Sequence, residues 1–80
     1  MPAEKNRSLR EYMRECGLTY QRAAYMLDMS ESTLYRFFRR DLTGAQVSEV
    51  LFLCNFYRDN NRIMTEILKK QYQEVRKKTL

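Results

Sequence analysis

A turn between two short helical patterns, centred on Asp28, is the feature of this sequence that most constrains its fold. Before the turn, the small side chain of Ala24 allows another helix to approach closely. After it, Leu34 and Phe37 lie one helical turn apart and form an apolar face. Asp is one of the few residues that tolerate the left-handed backbone that such a turn needs. Residues 20–39 therefore predict a helix-turn-helix, two helices that cross at a steep angle.

Capping residues predict where the helices begin. Capping-box spacing, which opens the first and fourth helices, occurs in Ser8 with Glu11 and in Thr43 with Gln46. Single caps open the second and third helices, at Thr19 and Ser30. Gly17 is expected to end the first helix, the second should reach Leu27, and the fourth should run to about Tyr57. A fifth helix should start at Asp59 or Asn60 and reach the high seventies. No segment alternates with period two over a useful length, so an all-α fold is predicted.

Length and composition bound the function. Eighty residues are enough for one domain with one modest core. Histidine is absent, and there is neither a glycine-rich phosphate loop nor an acidic cluster at metal-binding spacing, so we expect neither an enzyme nor a cofactor. Cys16 and Cys54 lack the spacing of a zinc site and are expected to be buried thiols. The longest apolar run, from Val50 to Cys54, is too short to cross a bilayer, and no signal-peptide pattern opens the chain, which predicts a cytoplasmic protein.

The net charge of +5 favours a polyanionic partner, but it is distributed unevenly. Residues 66–80 contain five basic and two acidic residues, whereas residues 16–45 contain four basic and three acidic ones. A basic C-terminal helix either contacts phosphates or keeps the chain soluble. The prediction of a DNA site therefore depends on sequence pattern and not on total charge.

The stretch from Ala23 to Phe38 resembles the Cro and C1 type of helix-turn-helix proteins, the lambda repressor-like family, over roughly residues 8–58. The resemblance implies a single five-helix DNA-binding domain with an extended C-terminal helix. Its core would span about residues 8–68, and a basic extension would occupy about 69–80. Three positions depart from the family pattern, with Asp28 at the usual turn glycine, Phe38 at a position that is commonly polar, and Arg40 at the glycine that often follows the recognition helix.

The resemblance makes residues 30–39 the recognition helix and predicts which side chains contact DNA. They are Tyr20, Gln21, Ser30, Glu31, Ser32, Thr33, Tyr35, Arg36, Arg39 and Arg40. Arg36 has the fork geometry to bind a guanine through O6 and N7, although a solvated surface charge is the alternative. Arg39 and Arg40 suit phosphates. Thr33 is ambiguous between packing and DNA contact, and Glu31 must accept from a cytosine amino group or point aside.

The fourth predicted helix is more apolar than one core requires. Val47, Val50, Leu51 and Cys54 form one stripe that should pack on the first and third helices, while further apolar residues fall on other faces. A homodimer through the fourth and fifth helices would cover them, using Phe52, Leu53, Phe56, Ile67, Tyr72 and Val75. The alternative is a helix hairpin within one chain.

Two functions follow from these patterns. The first is a small sequence-specific transcriptional regulator of the repressor type, found in bacteria, phages and mobile elements, which binds double-stranded DNA as a dimer. The second is a protein-interaction module with the same fold, such as an antirepressor or an accessory factor of a mobile element. No small-molecule ligand and no membrane partner are indicated.

Overall fold

A computed structural model describes residues 6–79 of the chain, which form helices and connecting turns without a strand. The all-α prediction is confirmed for this part of the chain. In chain order the helices are α1 (Arg7–Glu15), α2 (Tyr20–Met26), α3 (Glu31–Phe38), α4 (Gly44–Asn60) and α5 (Thr65–Thr79). Helix α4 packs against α1 and α5, and α2 packs against α3 and α5.

The capping box predicted at the start of α1 is wrong. The helix begins at Arg7, one residue before Ser8, and its N-cap is Asn6, whose side chain makes no cap hydrogen bond. The Glu11 carboxylate instead accepts a hydrogen bond from the side chain of Arg7, Nε to Oε1, at 3.0 Å. The Asn6 amide bonds elsewhere in the fold, at the end of α3. A tertiary contact has therefore replaced the local cap.

Helices α1 and α2 end in the same way. At Gly17, with φ of 80°, the N–H donates to Arg14 O at 2.9 Å, and the next N–H, of Leu18, donates to Met13 O at 3.1 Å. This is the Schellman arrangement, which satisfies carbonyls that a helix end leaves open. Gly17 is confirmed as the helix stop.

Asp28 takes the glycine's place at the end of α2, with φ of 59°. Its N–H donates to Tyr25 O at 3.3 Å, and the N–H of Met29 donates to Ala24 O at 2.9 Å. The predicted left-handed residue in the turn is confirmed. Met29 is half-buried and packs at the edge of the core.

Other predicted caps are confirmed as well. Thr19 accepts from the N–H of Arg22, and Thr43 with Gln46 forms a complete capping box. The boundary between α4 and α5 was predicted too early in the chain. Helix α4 continues to Asn60, whose side-chain amide donates to the carbonyl of Phe56 at 2.9 Å and does not cap a following helix. Helix α5 therefore begins only at Thr65.

All five helices contribute to one buried core, and α4 crosses its centre. The side chains of Val50, Leu53, Cys54 and Tyr57 from α4 are at most 4% exposed. The stripe predicted for packing on α1 and α3 is only partly correct, because Leu51 is 37% exposed and Val47 is half-buried. The side of α4 that carries Leu53 is turned inward in its place.

Candidate nucleic-acid interface

Helix α3 is anchored to the core on one face and exposed on the other. Leu34 and Phe38 are 0% and 3% exposed and hold the helix against the rest of the fold. The predicted contact residues on its outer side are all exposed, namely Glu31, Ser32, Thr33, Tyr35, Arg36 and Arg39. The buried face held against the core makes this outer face a rigid surface.

Three arginines gather toward the C-terminal half of α3. Arg36, Arg39 and Arg40 line one shallow open groove together with Thr33. Thr33 is exposed, so its side chain does not pack into the core, which removes one of its two predicted roles. A guanidinium is a planar donor suited to phosphate or to a guanine edge, so this groove is suited to an anion or a nucleic acid.

Glu31 lies at the opposite end of α3, in its first turn. A carboxylate there interacts favourably with the partial positive charge of the helix N-terminus. At about 1.5 Å of rise per residue, Glu31 is separated from Arg39 by roughly 12 Å along the axis. The negative charge thus lies at the end of α3 opposite to Arg39 and Arg40, where it stabilises the helix.

Ser30 is the N-cap of α3. Its Oγ accepts from the N–H of Thr33 at 3.1 Å and lies 2.9 Å from the hydroxyl of the same residue. The predicted cap is confirmed, and both hydroxyls have hydrogen-bond partners within the protein. Ser32, exposed in the first turn, is the hydroxyl of this group with the greatest freedom to meet a ligand.

Two tyrosines predicted to contact DNA lie against each other. The rings of Tyr20, at the start of α2, and Tyr35, on α3, stack with centroids 4.5 Å apart and planes 22° apart. Tyr20 also meets Phe38 edge-on at 5.7 Å, and it is half-buried. Tyr35 remains 55% exposed. Tyr20 therefore joins α2 to α3, and the ring of Tyr35 offers its outer side to solvent beside the exposed Gln21 end of α2.

Helix α5 holds the turn between α2 and α3, an interaction that sequence reasoning missed. The Asp28 carboxylate accepts from Lys69 Nζ at 2.5 Å and from Gln73 Nε2 at 2.8 Å. The hydrogen bond from Lys69 is the main cause that lowers the pKa of Asp28. The Lys69 ammonium also lies 4.4 Å from the ring centroid of Tyr25. The spacing of Lys69 and Gln73, one helical turn apart, is compatible with this interaction but does not identify its partner.

The prediction of a dimer surface is wrong for Leu53 and Tyr72, because α5 folds back on α4 within the chain and leaves them 1% and 0% exposed. The rings of Phe52 and Phe56 stack with centroids 6.4 Å apart. Their centroids lie 5.9 and 5.7 Å, respectively, from that of Tyr72. Arg76 bonds Glu49 across the same pair of helices at 2.8 Å. The intramolecular hairpin is thus the arrangement of α4 and α5.

Two of the apolar side chains that stay exposed lie near the start of α5. Of the predicted interface residues, Ile67 is 48% exposed, and Val75 is half-buried. Met64, just before α5, is 67% exposed. Any surface for a second protein on this side is therefore smaller than the sequence suggests.

The two cysteines are buried free thiols, as predicted. Burial raises the pKa of Cys54 to about 12, with a further contribution from the nearby Cys16. A thiol with such a pKa carries almost no thiolate at neutral pH, and the thiolate is the reactive form. Both cysteines are buried in the core, where a thiol packs as a small apolar side chain.

Comparison with protein-family models, with curated proteins and with solved structures finds no match to this chain. Within residues 6–79, no helix combines the length and the apolar character needed to cross a bilayer.

Proposed function

We propose that this protein binds double-stranded DNA in a sequence-specific way, as a small transcriptional regulator of the repressor type. Helix α3 would enter the major groove, with its capped N-terminus near the base edges and Arg39 and Arg40 toward the backbone. The fold proposed is that of the lambda repressor-like domains, which the stretch from Ala23 to Phe38 resembles.

One observation supports this proposal above the others. The exposed face of α3 presents Ser32, Arg36 and Arg39 on a helix whose opposite face is buried and whose start is capped by Ser30. Contacts to bases need side chains held on such a rigid element, since a helix that shifts by an ångström loses its hydrogen bonds. Tyr20 on Tyr35 and the left-handed Asp28 contribute to that rigidity.

Within this proposal the protein acts as a pair. One α3 contacts only a few base pairs, and two copies would contact half-sites roughly 34 Å apart on one side of the duplex. Ile67 and Met64 are exposed apolar side chains available to such a pairing, whereas Leu53 and Tyr72 are used within the chain. Sedimentation at micromolar concentration, with and without bound DNA, tests the pairing, and a single species of one chain in both states contradicts it.

A second candidate is a protein-interaction module that uses the same exposed residues near α5. The 67% exposure of Met64 and the 48% exposure of Ile67 favour it. Under this alternative, substitution of Ile67 by a charged residue abolishes binding to a protein partner, whereas substitutions on α3 do not.

Selection of bound fragments from a random DNA pool at physiological salt tests the DNA proposal directly. We expect enrichment of one motif, palindromic if the protein binds as a pair, and affinity for it at least about a thousandfold above that for competitor DNA. Equal affinity for selected and unselected fragments contradicts sequence-specific binding.

A further inference from the structure

Helix α3 ends differently from the two helices before it. Gly17 and Asp28 take left-handed backbones that let the following N–H groups bond the last carbonyls of α1 and α2. After α3, Arg39 keeps a right-handed backbone, and within residues 6–79 positive φ occurs only at Asn6, Gly17 and Asp28. The end of α3 therefore lacks the left-handed closure. The N–H groups of Arg39 and Arg40 donate to the carbonyls of Arg36 and Phe37, and the carbonyls that follow need another donor.

Asn6, the N-cap residue of α1, supplies that donor. Its side-chain nitrogen donates to Phe38 O at 2.7 Å and to Arg40 O at 2.9 Å, across 32 and 34 positions of the sequence. Both amide hydrogens are used. The backbone of Asn6 has φ of 57° and ψ of 31°, a conformation that Asn tolerates better than most residues. Asn6 thus caps the helix end that carries the arginines.

The two accepting carbonyls lie on either side of Arg39. The carbonyl of Phe38 belongs to the peptide unit just before Arg39, and that of Arg40 belongs to the peptide unit just after Arg40. When both carbonyls are hydrogen-bonded to Asn6, the backbone of Arg39 and Arg40 is held in one orientation. The directions in which the two side chains leave the backbone are then set as well. Arg39 and Arg40 line the groove with Arg36 and Thr33. The Asn6 amide is therefore in a position to set the shape of this groove without lying in it.

We propose that Asn6 is a positioning residue for DNA binding, which holds Arg39 and Arg40 for phosphate binding through its two hydrogen bonds. This inference rests on the proposed function of α3. Asn6 touches no DNA itself, and its contribution passes through the arginine pair.

The informative variant is Asn6→Gly, because glycine accepts the left-handed backbone while removing the amide. Asn61→Gly is the matched control, since Asn61 is exposed at the end of α4, away from α3. We expect Asn6→Gly to weaken binding to a selected DNA fragment roughly three- to tenfold, the effect of about one net hydrogen bond. The slope of log affinity against log salt should also become shallower by about 0.9 for each phosphate that the variant no longer neutralises.

A double-mutant cycle separates positioning from a general effect on folding. In a background that carries Arg39→Ala and Arg40→Ala, we expect Asn6→Gly to have no further effect on affinity, because the residues it positions are gone. Active protein is counted by stoichiometric titration with DNA, so that partial unfolding does not count as weak binding. The same fold-loss in both backgrounds overturns the proposal, and so does wild-type affinity for Asn6→Gly.

The outcomes also separate this inference from the one on which it rests. If the wild-type protein binds no DNA fragment selectively, both are overturned. If the wild-type protein binds a DNA fragment selectively and the Asn6 variants bind it as tightly as the Asn61 control variants, the proposed function stands and the positioning role is overturned. Asn6→Asp gives a third check, since it keeps the shape and turns the donor into an acceptor that faces two carbonyls. It should bind more weakly than the charge-matched Asn61→Asp, and equal affinities contradict the proposal.

Discussion

Lys69 on α5 donates a hydrogen bond to the carboxylate of Asp28, the left-handed residue between α2 and α3. Gln73 adds a second hydrogen bond, one helical turn further along α5. The turn between α2 and α3 is therefore held by side chains of α5 as well as by its own backbone hydrogen bonds. A glycine at this position would adopt the backbone with less strain, but it has no side chain with which to bind α5.

Removal of the Lys69 charge should loosen this interaction. Lys69→Met keeps an unbranched apolar side chain against Tyr25 but removes the ammonium, so we expect a lower urea midpoint for unfolding. Lys70→Met is the control, because Lys70 is exposed on the same helix. Equal midpoints for the two variants would show that the ion pair with Asp28 adds nothing measurable, as is often the case for surface ion pairs.

The interaction of Asp28 with α5 should also depend on pH. The pKa of Asp28 is lowered in the folded state, mainly by the hydrogen bond from Lys69, so the folded protein favours the carboxylate more than the unfolded chain does. The stabilisation is therefore fully present above the ordinary value of 3.8 and disappears as the pH falls through the lower, folded-state pKa. We expect Asp28→Asn to be less stable than wild type in thermal unfolding at pH 7, with a gap that closes toward pH 2. Asp59→Asn serves as the control, and a gap that stays constant with pH rejects the electrostatic origin.

Arg36 should matter more to DNA affinity than an arginine of equal charge elsewhere. If Arg36 contacts a base, Arg36→Ala weakens binding to a selected site by roughly 1–3 kcal/mol and relaxes the preference at one position of that site. Arg62→Ala removes the same charge from the exposed turn between α4 and α5 and should change affinity far less. Fluorescence anisotropy at fixed salt measures both, and similar reductions in affinity would mean that only net charge is at work.

The hydroxyl of Tyr72 should be dispensable for folding. It is buried without a hydrogen-bond partner among the described residues, and burial, together with nearby Glu49, raises its pKa to about 12. Since a buried hydroxyl without a partner costs free energy, Tyr72→Phe should raise the free energy of unfolding by about 1 kcal/mol.

Tyr57→Phe is the matched comparison for that substitution. The Tyr57 hydroxyl accepts a hydrogen bond from Arg22, so the same change there should lower the free energy of unfolding by about 1 kcal/mol. Urea unfolding measures both variants. A loss of stability at Tyr72 as large as that at Tyr57 would indicate that the Tyr72 hydroxyl is satisfied by water.

The helix boundaries that depend on neighbouring residues were predictable from the sequence. Thr19, Ser30 and Thr43 cap helices through bonds to N–H groups three residues away, and the backbones of Gly17 and Asp28 follow from what each residue tolerates. These interactions are local, so sequence spacing is sufficient to find them. The exposed face of α3 follows in the same way, once its buried face is known.

The predictions that depend on distant partners were incomplete or wrong. The capping box at Ser8 competes with a helix that starts earlier, whose N-cap, Asn6, bonds residues more than thirty positions away. The packing of Tyr20 against Tyr35 and Phe38 was not predicted, and its contact with DNA stays a prediction. The apolar faces of α4 and α5 showed that both helices needed a packing partner. The same periodicity is compatible with a partner helix in the same chain or in a second chain.

Local patterns were sufficient to predict five helices, the left-handed turn between α2 and α3, and the outward-facing residues of α3, because periodicity and capping act within a few residues. The folded chain was needed to show that α5 folds back on α4, that Lys69 and Gln73 bind Asp28, and that Asn6 closes the end of α3. The last two interactions join residues thirty or more positions apart in the sequence, and the free energy of all three depends on packing geometry that no local pattern encodes.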